Sequence, residues 1–189
     1  MYRIVVFASG SGSNALNLIR HFNQGNFARV EAVFCNKAGA GVIEKAETER
    51  VPVHLFNRHD FYQSDNVIHQ VEALKPDIIV LAGFLWLVPA DFIQYFNNKI
   101  INLHPSLLPK YGGKGMYGHF VHEAVLAAGE RETGITIHLV NEEFDKGEIL
   151  YQDKFEIPEN ATLEDVERRI HQLEHIGMPI AVEQFLKRL

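Results

Sequence analysis

The strongest limit on the fold comes from the first 22 residues, where a continuous apolar run meets a glycine-rich turn. Residues 4–8 are all apolar, residues 9–13 read Ser-Gly-Ser-Gly-Ser, and apolar residues then recur at positions 15, 18, 19 and 22. A short apolar run bounded by glycine is typical of a buried strand, and the later spacing is typical of a helix with one buried face. The segment therefore predicts a strand, a tight turn and a helix, which is the opening unit of an α/β sheet.

Strand and helix patterns continue to alternate along the chain. Further strands are predicted at residues 30–35, 51–55, 78–82, 99–103, 134–139 and 148–155, and helices at residues 41–50, 60–74, 89–97, 119–128 and 162–189. The last helix should break or kink at Gly177-Met178-Pro179, because proline lacks the backbone N–H that a helix interior uses. The alternation predicts one doubly wound, mostly parallel Rossmann-like sheet of about six or seven strands, with helices on both faces and a single domain over residues 1–189.

Charge, hydropathy and cysteine content argue against several kinds of partner. The chain has 18 Lys and Arg against 24 Asp and Glu, a formal net charge of −6, which disfavours a surface for nucleic acid backbones. The longest uncharged, mostly apolar stretch covers only residues 78–90, shorter than the roughly 18 residues that suggest a membrane span. Cys35 is the single cysteine, so no disulfide forms within the chain. A reduced, cytoplasmic location is expected.

The glycine turn predicts an anion site. Backbone N–H groups at a helix N-terminus bind anions, and the side chains of Ser13 and Asn14 add donors. The pattern Gly10-x-Gly12-x-x-Ala15 also fits the permissive dinucleotide fingerprint, but that fold uses an acidic residue at the end of the second strand. Residues 35–37 there read Cys-Asn-Lys. A monophosphate is therefore favoured over a dinucleotide, and a turn that serves only helix packing is the structural alternative.

Residues 102–109, Asn-Leu-His-Pro-Ser-Leu-Leu-Pro, carry the most informative candidate site. Asn102 and His104 are two apart in a predicted strand, so they share a face at its carboxyl end, where open α/β sheets bind ligands. An amide can donate to an oxygen that gains negative charge, and an imidazole can move a proton near pH 7. An orienting carboxylate is expected from residues 141–147, which contain three acids. The pattern suits acyl transfer, with a strand-capping histidine as the structural alternative.

Two other kinds of chemistry are disfavoured, and one apolar loop is a candidate ligand surface. His119-x-x-His122 with His138 makes no closed ligand set, so no metal site is predicted. Ser106 lies outside any G-x-S-x-G motif, which disfavours a serine hydrolase. Residues 84–88, Phe-Leu-Trp-Leu-Val, follow a buried strand and can accept a flat heterocycle.

Taken in order, these motifs resemble the glycinamide ribonucleotide transformylase family. The matching segments are Ser9-Gly10-Ser11-Gly12-Ser13-Asn14, Asn36-Lys37, Leu81-Ala82-Gly83-Phe84, residues 102–109 and Asp145-x-Gly147. The resemblance covers nearly the whole chain, and its His-Pro-Ser-Leu-Leu-Pro run is specific to folate-dependent formyl transferases. It implies transfer of a formyl group from 10-formyltetrahydrofolate, as co-substrate, to the amine of glycinamide ribonucleotide in purine synthesis, through a tetrahedral intermediate.

The resemblance also implies roles for individual residues. Catalysis falls on Asn102, His104 and Asp145, with Asp145 raising the pKa of a charged His104. Ribonucleotide binding falls on Gly12, Ser13, Asn14, His171, Gln172, Leu173 and Glu174, of which Glu174 meets the amine. Folate binding falls on Arg58, Leu85, Trp86, Leu87, Val88, Asn102, Asn141, Glu142, Glu143, Phe144 and Asp145. Residues 111–118 form a longer loop than the family's, and Trp86 stands where a basic residue is familiar, so the roles of His119 and His122 stay open.

Three other functions share part of the pattern. Methionyl-tRNA formyltransferase carries a further C-terminal RNA-binding domain, and formyltetrahydrofolate hydrolase an N-terminal regulatory domain. We expect neither domain here, because this acidic sequence starts its first strand at residue 4 and ends with its last helix. A non-catalytic nucleotide-binding module would retain the glycine turn but has no use for Asn102 and His104. Small-molecule substrates are the expected partners, without nucleic acid or membrane, for a monomer or homodimer.

Overall fold

The computed structural model describes residues 1–143 and 145–189, and within them a seven-stranded sheet. The elements are β1 (Tyr2–Ala8), α1 (Ser13–Phe22), β2 (Ala28–Cys35), α2 (Gly41–Thr48), β3 (Val53–Leu55), α3 (Arg58–Tyr62), α4 (Asn66–Ala73), β4 (Ile78–Leu81), α5 (Ala90–Tyr95), β5 (Ile100–His104), α6 (His119–Ala127), β6 (Glu132–Leu139), β7 (Ile149–Glu156) and α7 (Leu163–Leu186). The strand order is β3-β2-β1-β4-β5-β6-β7. β1 pairs in parallel with β2 and β4, β2 with β3, and β6 is antiparallel to β7. The predicted mostly parallel α/β sheet is confirmed.

The chain divides into two compact units, Met1–Ile101 and Asn102–Leu189. In the first, the apolar run of β1 is fully buried and pairs with a strand on each side, as its composition predicts. The helix that follows it buries the predicted stripe of Ala15, Leu18, Ile19 and Phe22. The single catalytic domain over residues 1–189 stays a prediction.

The helix predicted over residues 60–74 is wrong, because the structure has two short helices there. α3 begins early, where the side chain of Asn57 accepts from the Asp60 N–H in a capping box. The break follows at Ser64, whose hydroxyl donates to the Asp60 carbonyl at 3.3 Å and accepts from the Asn66 N–H at 3.4 Å. A serine side chain that bonds to nearby backbone groups in this way competes with the helix.

In the second unit, α7 runs without a break through Pro179, so the predicted interruption is wrong. A proline removes one backbone hydrogen bond, but burial stabilises the helix on both sides, since Met178 and Val182 are fully buried. Gly177 allows the close approach, because a Cβ there would lie 2.6 Å from the Tyr151 ring and 2.8 Å from the Ile135 side chain. α7 begins with a capping box, in which the Thr162 side chain accepts from the Asp165 N–H and the Asp165 side chain accepts from the Thr162 N–H.

No helix in residues 1–143 and 145–189 combines the length and the apolar character that a membrane crossing requires.

Candidate active site

The carboxyl end of β5 places Asn102 and His104 in the second unit. His104 is 3% exposed, and its Nε2 lies 2.7 Å from the Tyr111 carbonyl oxygen. Because a carbonyl only accepts, we assign the hydrogen of neutral His104 to Nε2. The other ring nitrogen, Nδ1, lies 3.7 Å from Asp145 Oδ2. This distance is too long for a hydrogen bond but short enough for strong charge interaction.

His138, whose sequence position suggests only a metal ligand, is a fourth member of this cluster. It lies on β6 and is 2% exposed. Its Nδ1 lies 2.9 Å from the Leu139 carbonyl oxygen, and its Nε2 lies 3.3 Å from Asn102 Nδ2. The same Nε2 lies 3.5 Å from Asp145 Oδ1. His138 therefore orients the amide of Asn102 and contacts the carboxylate that faces His104.

Asp145 is the acid of the 141–147 loop whose carboxylate faces both histidines. The Gly113 N–H donates to its Oδ2 at 2.8 Å, and its side chain is 13% exposed. Glu142 and Glu143 are exposed, and the Glu143 carboxylate pairs with Lys146 at 2.7 Å. Of these three acids, the geometry therefore favours Asp145. Phe144, named as a folate contact, lies outside the described residues.

The charges of this cluster are set by burial as much as by pairing. Burial lowers the pKa of His104 below its ordinary value, although the Asp145 carboxylate and the Tyr111 carbonyl both raise it. Burial also raises the pKa of Asp145, but hydrogen bonds from His138 and Gly113 and the nearby imidazoles outweigh it and leave that pKa below its ordinary value. Asp145 thus acts on His104 in the predicted direction, yet the net shift is downward because the imidazole is desolvated.

A buried hydrogen-bond network fixes the loop that follows β5. The Thr136 hydroxyl donates to the Ser106 carbonyl at 2.6 Å and accepts from the Leu108 N–H at 3.0 Å. Gln152 Nε2 lies within hydrogen-bond distance of both the Leu108 carbonyl and the Thr136 hydroxyl. Thr136 and Ser106 are fully buried. The network therefore ties the loop after His104 to the two strands β6 and β7.

Replacing Thr136 by valine should lower the free energy of unfolding by about 1–3 kcal/mol, because buried donors and acceptors lose their partner. Urea denaturation of the purified variant measures this change. Thr133→Val is the matched control on the same strand, since the Thr133 hydroxyl is buried without a partner among the described residues. Replacement of Thr133 should leave the free energy of unfolding unchanged or raise it. Equal losses in the two variants would contradict a specific role for the Thr136 network.

The glycine turn is in the first unit and has the geometry of a tight strand-to-helix connection. Gly12 has φ 75° and ψ 23° at the N-cap of α1, and a Cβ there would lie 2.5 Å from the Val42 backbone. The first turn of α1 contains no acidic residue to compete with an anion. Ser9 joins this turn to the 84–88 loop, because its hydroxyl accepts from the Leu85 N–H at 3.0 Å. The backbone thus favours an anion near Ser13 and Asn14.

The four α7 residues named for ribonucleotide binding have different surroundings. The Glu174 side chain is 8% exposed and lies 2.9 Å, through Oε2, from Nδ1 of the more exposed His171. This hydrogen bond from His171 is the main reason that the pKa of His171 is raised. Gln172 is exposed and accepts from Arg169, whereas Leu173 is 5% exposed. The His171–Glu174 pair therefore presents polar chemistry, and Leu173 packs into the core.

The two histidines of α6 differ from each other. His119 is exposed and lies against Phe120, whereas His122 is 5% exposed and its Nδ1 has no hydrogen-bond partner among the described residues. Burial lowers the pKa of His122, with the carboxylates of Glu167 and Glu174 acting against it. Within residues 1–143 and 145–189, no group of three potential ligands has metal-binding geometry.

Two of the folate residues predicted in the first unit, Arg58 and Trp86, are in contact. Arg58 lies over the Trp86 ring, with its guanidinium carbon 4.9 Å from the ring centroid. Leu85 and Leu87 are more than half exposed, and Val88 is buried. In the second unit, Asn141 is exposed and its side chain accepts from the Glu143 N–H at 3.0 Å.

The formyl transferase family matches this chain over residues 2–182. The chain therefore belongs to the formyl transferase family, whose members are one-carbon group transferases.

Individual relatives narrow this assignment. Phosphoribosylglycinamide formyltransferase of Bacillus subtilis is 37% identical, over 98% of this chain and 95% of that protein. The chloroplastic phosphoribosylglycinamide formyltransferase of Arabidopsis thaliana is 38% identical, over 92% of this chain and 61% of that protein. A crystal structure of the Brucella melitensis enzyme of the same name has 39% identity and a TM-score of 0.88, over 98% of this chain and 95% of that one. The predicted resemblance is confirmed.

Proposed function

We propose that this protein transfers the formyl group of 10-formyltetrahydrofolate to the amine of glycinamide ribonucleotide, a step of purine biosynthesis. The observation that carries the proposal is the cluster of Asn102, His104 and Asp145 at the end of β5. The similarity to a phosphoribosylglycinamide formyltransferase, which covers 95% of that relative's length, supports it. We further propose that residues 1–189 act as one catalytic domain, in the cytoplasm, as a monomer or homodimer.

Formyl transfer requires groups that stabilise a transient negative charge on the formyl oxygen. The neutral substrate amine attacks the formyl carbon, and the carbonyl oxygen becomes an oxyanion that Asn102 and His104 stabilise by hydrogen bonds. One C–N bond forms, and the bond from the formyl carbon to the folate nitrogen then breaks. The amine loses one proton and the folate nitrogen gains one, so a bridging water near Asp145 can relay the proton between them.

The depressed pKa of Asp145 defines its part in this reaction. A carboxylate with a pKa below its ordinary value is a poor final proton acceptor, so Asp145 acts mainly as a fixed negative charge. That charge faces Nδ1 of His104 and stabilises the protonated imidazole, which is charged before the amine attacks and donates to the oxyanion. Because Nε2 of His104 donates to the Tyr111 carbonyl, the substrate oxygen must replace that carbonyl to accept from Nε2.

The glycine turn of the first unit suits the phosphate of the ribonucleotide. The N-terminus of α1, with the side chains of Ser13 and Asn14, suits a phosphate because helix N-termini bind anions. The buried carboxylate of Glu174 suits the amine or the ribose hydroxyls, and His171 holds that carboxylate in place.

The test mixes the purified protein with glycinamide ribonucleotide and 10-formyltetrahydrofolate and follows the folate product by absorbance. Parallel samples omit the ribonucleotide or replace it with methionyl-tRNA. Product that appears only with the ribonucleotide supports the proposal. Product without any acceptor would identify a hydrolase, and no product from protein that still binds the ribonucleotide would identify a nucleotide-binding module.

A further inference from the structure

Arg58 has an unusual environment for a surface arginine. Its guanidinium lies over the Trp86 ring at 4.9 Å, and no carboxylate pairs with it in the described part of the chain. The nearest acid along α3, Asp60, is occupied, since its carboxylate accepts from the Asn57 N–H at 3.4 Å and from the Asn66 side chain at 3.1 Å. The guanidinium is therefore held by an aromatic face, while its N–H donors stay available to an anion.

The Trp86 ring is itself held by an aromatic cluster of the first unit. Its neighbours, with centroid separations of 5.9–6.4 Å, are Phe56, Phe61, Tyr62 and Phe84. The Tyr62 hydroxyl donates to the Leu87 carbonyl at 2.9 Å, which ties α3 to the loop that carries Trp86. Such contacts favour one ring position.

We infer that Trp86 is a positioning residue that fixes the Arg58 guanidinium to receive the carboxylate of the glutamate tail of folate. The inference rests on the proposed function and adds a role to a position where the sequence departs from the family pattern. An arginine held by a ring in advance loses less conformational entropy on binding, because part of its side chain is already ordered. The exposed side chains of Leu85 and Leu87, beside Trp86 in sequence, suit the aryl part of the same tail.

Kinetics separate positioning from catalysis. Trp86→Leu should raise KM for 10-formyltetrahydrofolate by about two- to fivefold, the range for a cation–π contact at an exposed site, with little change in kcat. Trp86→Phe retains an aromatic face and should restore most of the affinity. Arg58→Gln should raise the same KM by about tenfold or more, because it removes a charged hydrogen-bond donor. In the Arg58→Gln background, Trp86→Leu should raise KM for 10-formyltetrahydrofolate little further, because the ring acts through the guanidinium.

A binding measurement gives a readout that does not depend on turnover. Trp86 is the single tryptophan of the chain, so intrinsic fluorescence reports directly on this surface. Titration with p-aminobenzoylglutamate should change the emission of the wild-type protein, and Arg58→Gln should weaken that response about tenfold. Calorimetry with the same probe extends the comparison to Trp86→Leu.

The outcomes distinguish this inference from the proposed function. Probe binding that depends on Arg58 and Trp86, in a protein without formyl transfer, would support the inference and contradict the proposed function. Formyl transfer with a KM unaffected by either substitution would overturn the inference alone. An equal effect of Trp86→Leu with and without Arg58 would also overturn it, because the ring would then act independently of the guanidinium.

Discussion

Replacement of His104 by alanine should lower kcat for formyl transfer by about 100- to 1000-fold, the usual loss when one oxyanion donor is removed. The ring is almost fully buried and each nitrogen faces a different group, Tyr111 on one side and Asp145 on the other. Asn102→Ala should cause a loss in the same range, because its amide is the second proposed donor.

The double variant tests whether the two residues act on one oxyanion. Its loss should be smaller than the product of the single losses, because removal of either donor already disrupts the shared site. Steady-state kinetics with saturating substrates measures kcat, and calorimetry with glycinamide ribonucleotide checks that the phosphate still binds. His54→Ala is the matched control, since His54 lies on β3, is half-buried against Phe34 of β2, and is outside the catalytic cluster. Turnover of the His104 variant equal to that of the control would contradict the assignment.

The features that sequence predicts well are those that depend on local patterns. The apolar run before the glycine turn predicts β1 and α1 because burial and a left-handed glycine are local requirements, and Gly12 indeed has φ 75°. The same reasoning predicts that Asn102 and His104 share a strand, since both lie within β5. The helix predictions are wrong where a side chain or tertiary packing overrides the local pattern. Ser64 ends a helix earlier than its pattern predicts, and burial of the surrounding residues keeps Pro179 inside a continuous helix.

The parts of the site that the sequence does not predict depend on contacts between residues that are distant in sequence. His138 is 34 residues beyond His104, and its alternation with the buried Ile135 and Ile137 on β6 was the only signal of its orientation. The Tyr111 carbonyl is a backbone atom, and its position follows from a left-handed conformation, φ 56°, that a tyrosine side chain does not predict. Residue identity alone leaves three acids open in the 141–147 loop, and only the geometry separates Asp145 from the other two.

Asp145→Asn should lower kcat by about 100-fold or more, because a neutral amide cannot stabilise the imidazolium and also presents donors to the histidines. The variant should fold, since the amide oxygen can still accept from the Gly113 N–H that now bonds the carboxylate at 2.8 Å. Glu148→Gln is the matched control, because it removes an exposed acid from the end of the same loop region. It should leave kcat unchanged.

The pH dependence of the same variant gives the more specific test. The Asp145 carboxylate raises the pKa of His104 against the larger effect of burial, so its removal should lower that pKa further. If the charged imidazole is the active donor, activity is present below this pKa and lost as pH rises through it. The descending limb of kcat should therefore move to lower pH in Asp145→Asn, and the His104 ring resonances should titrate at lower pH in NMR spectra. A limb that moves to higher pH, or a His104 pKa equal to that of Glu148→Gln, would show that the carboxylate does not act through the imidazole.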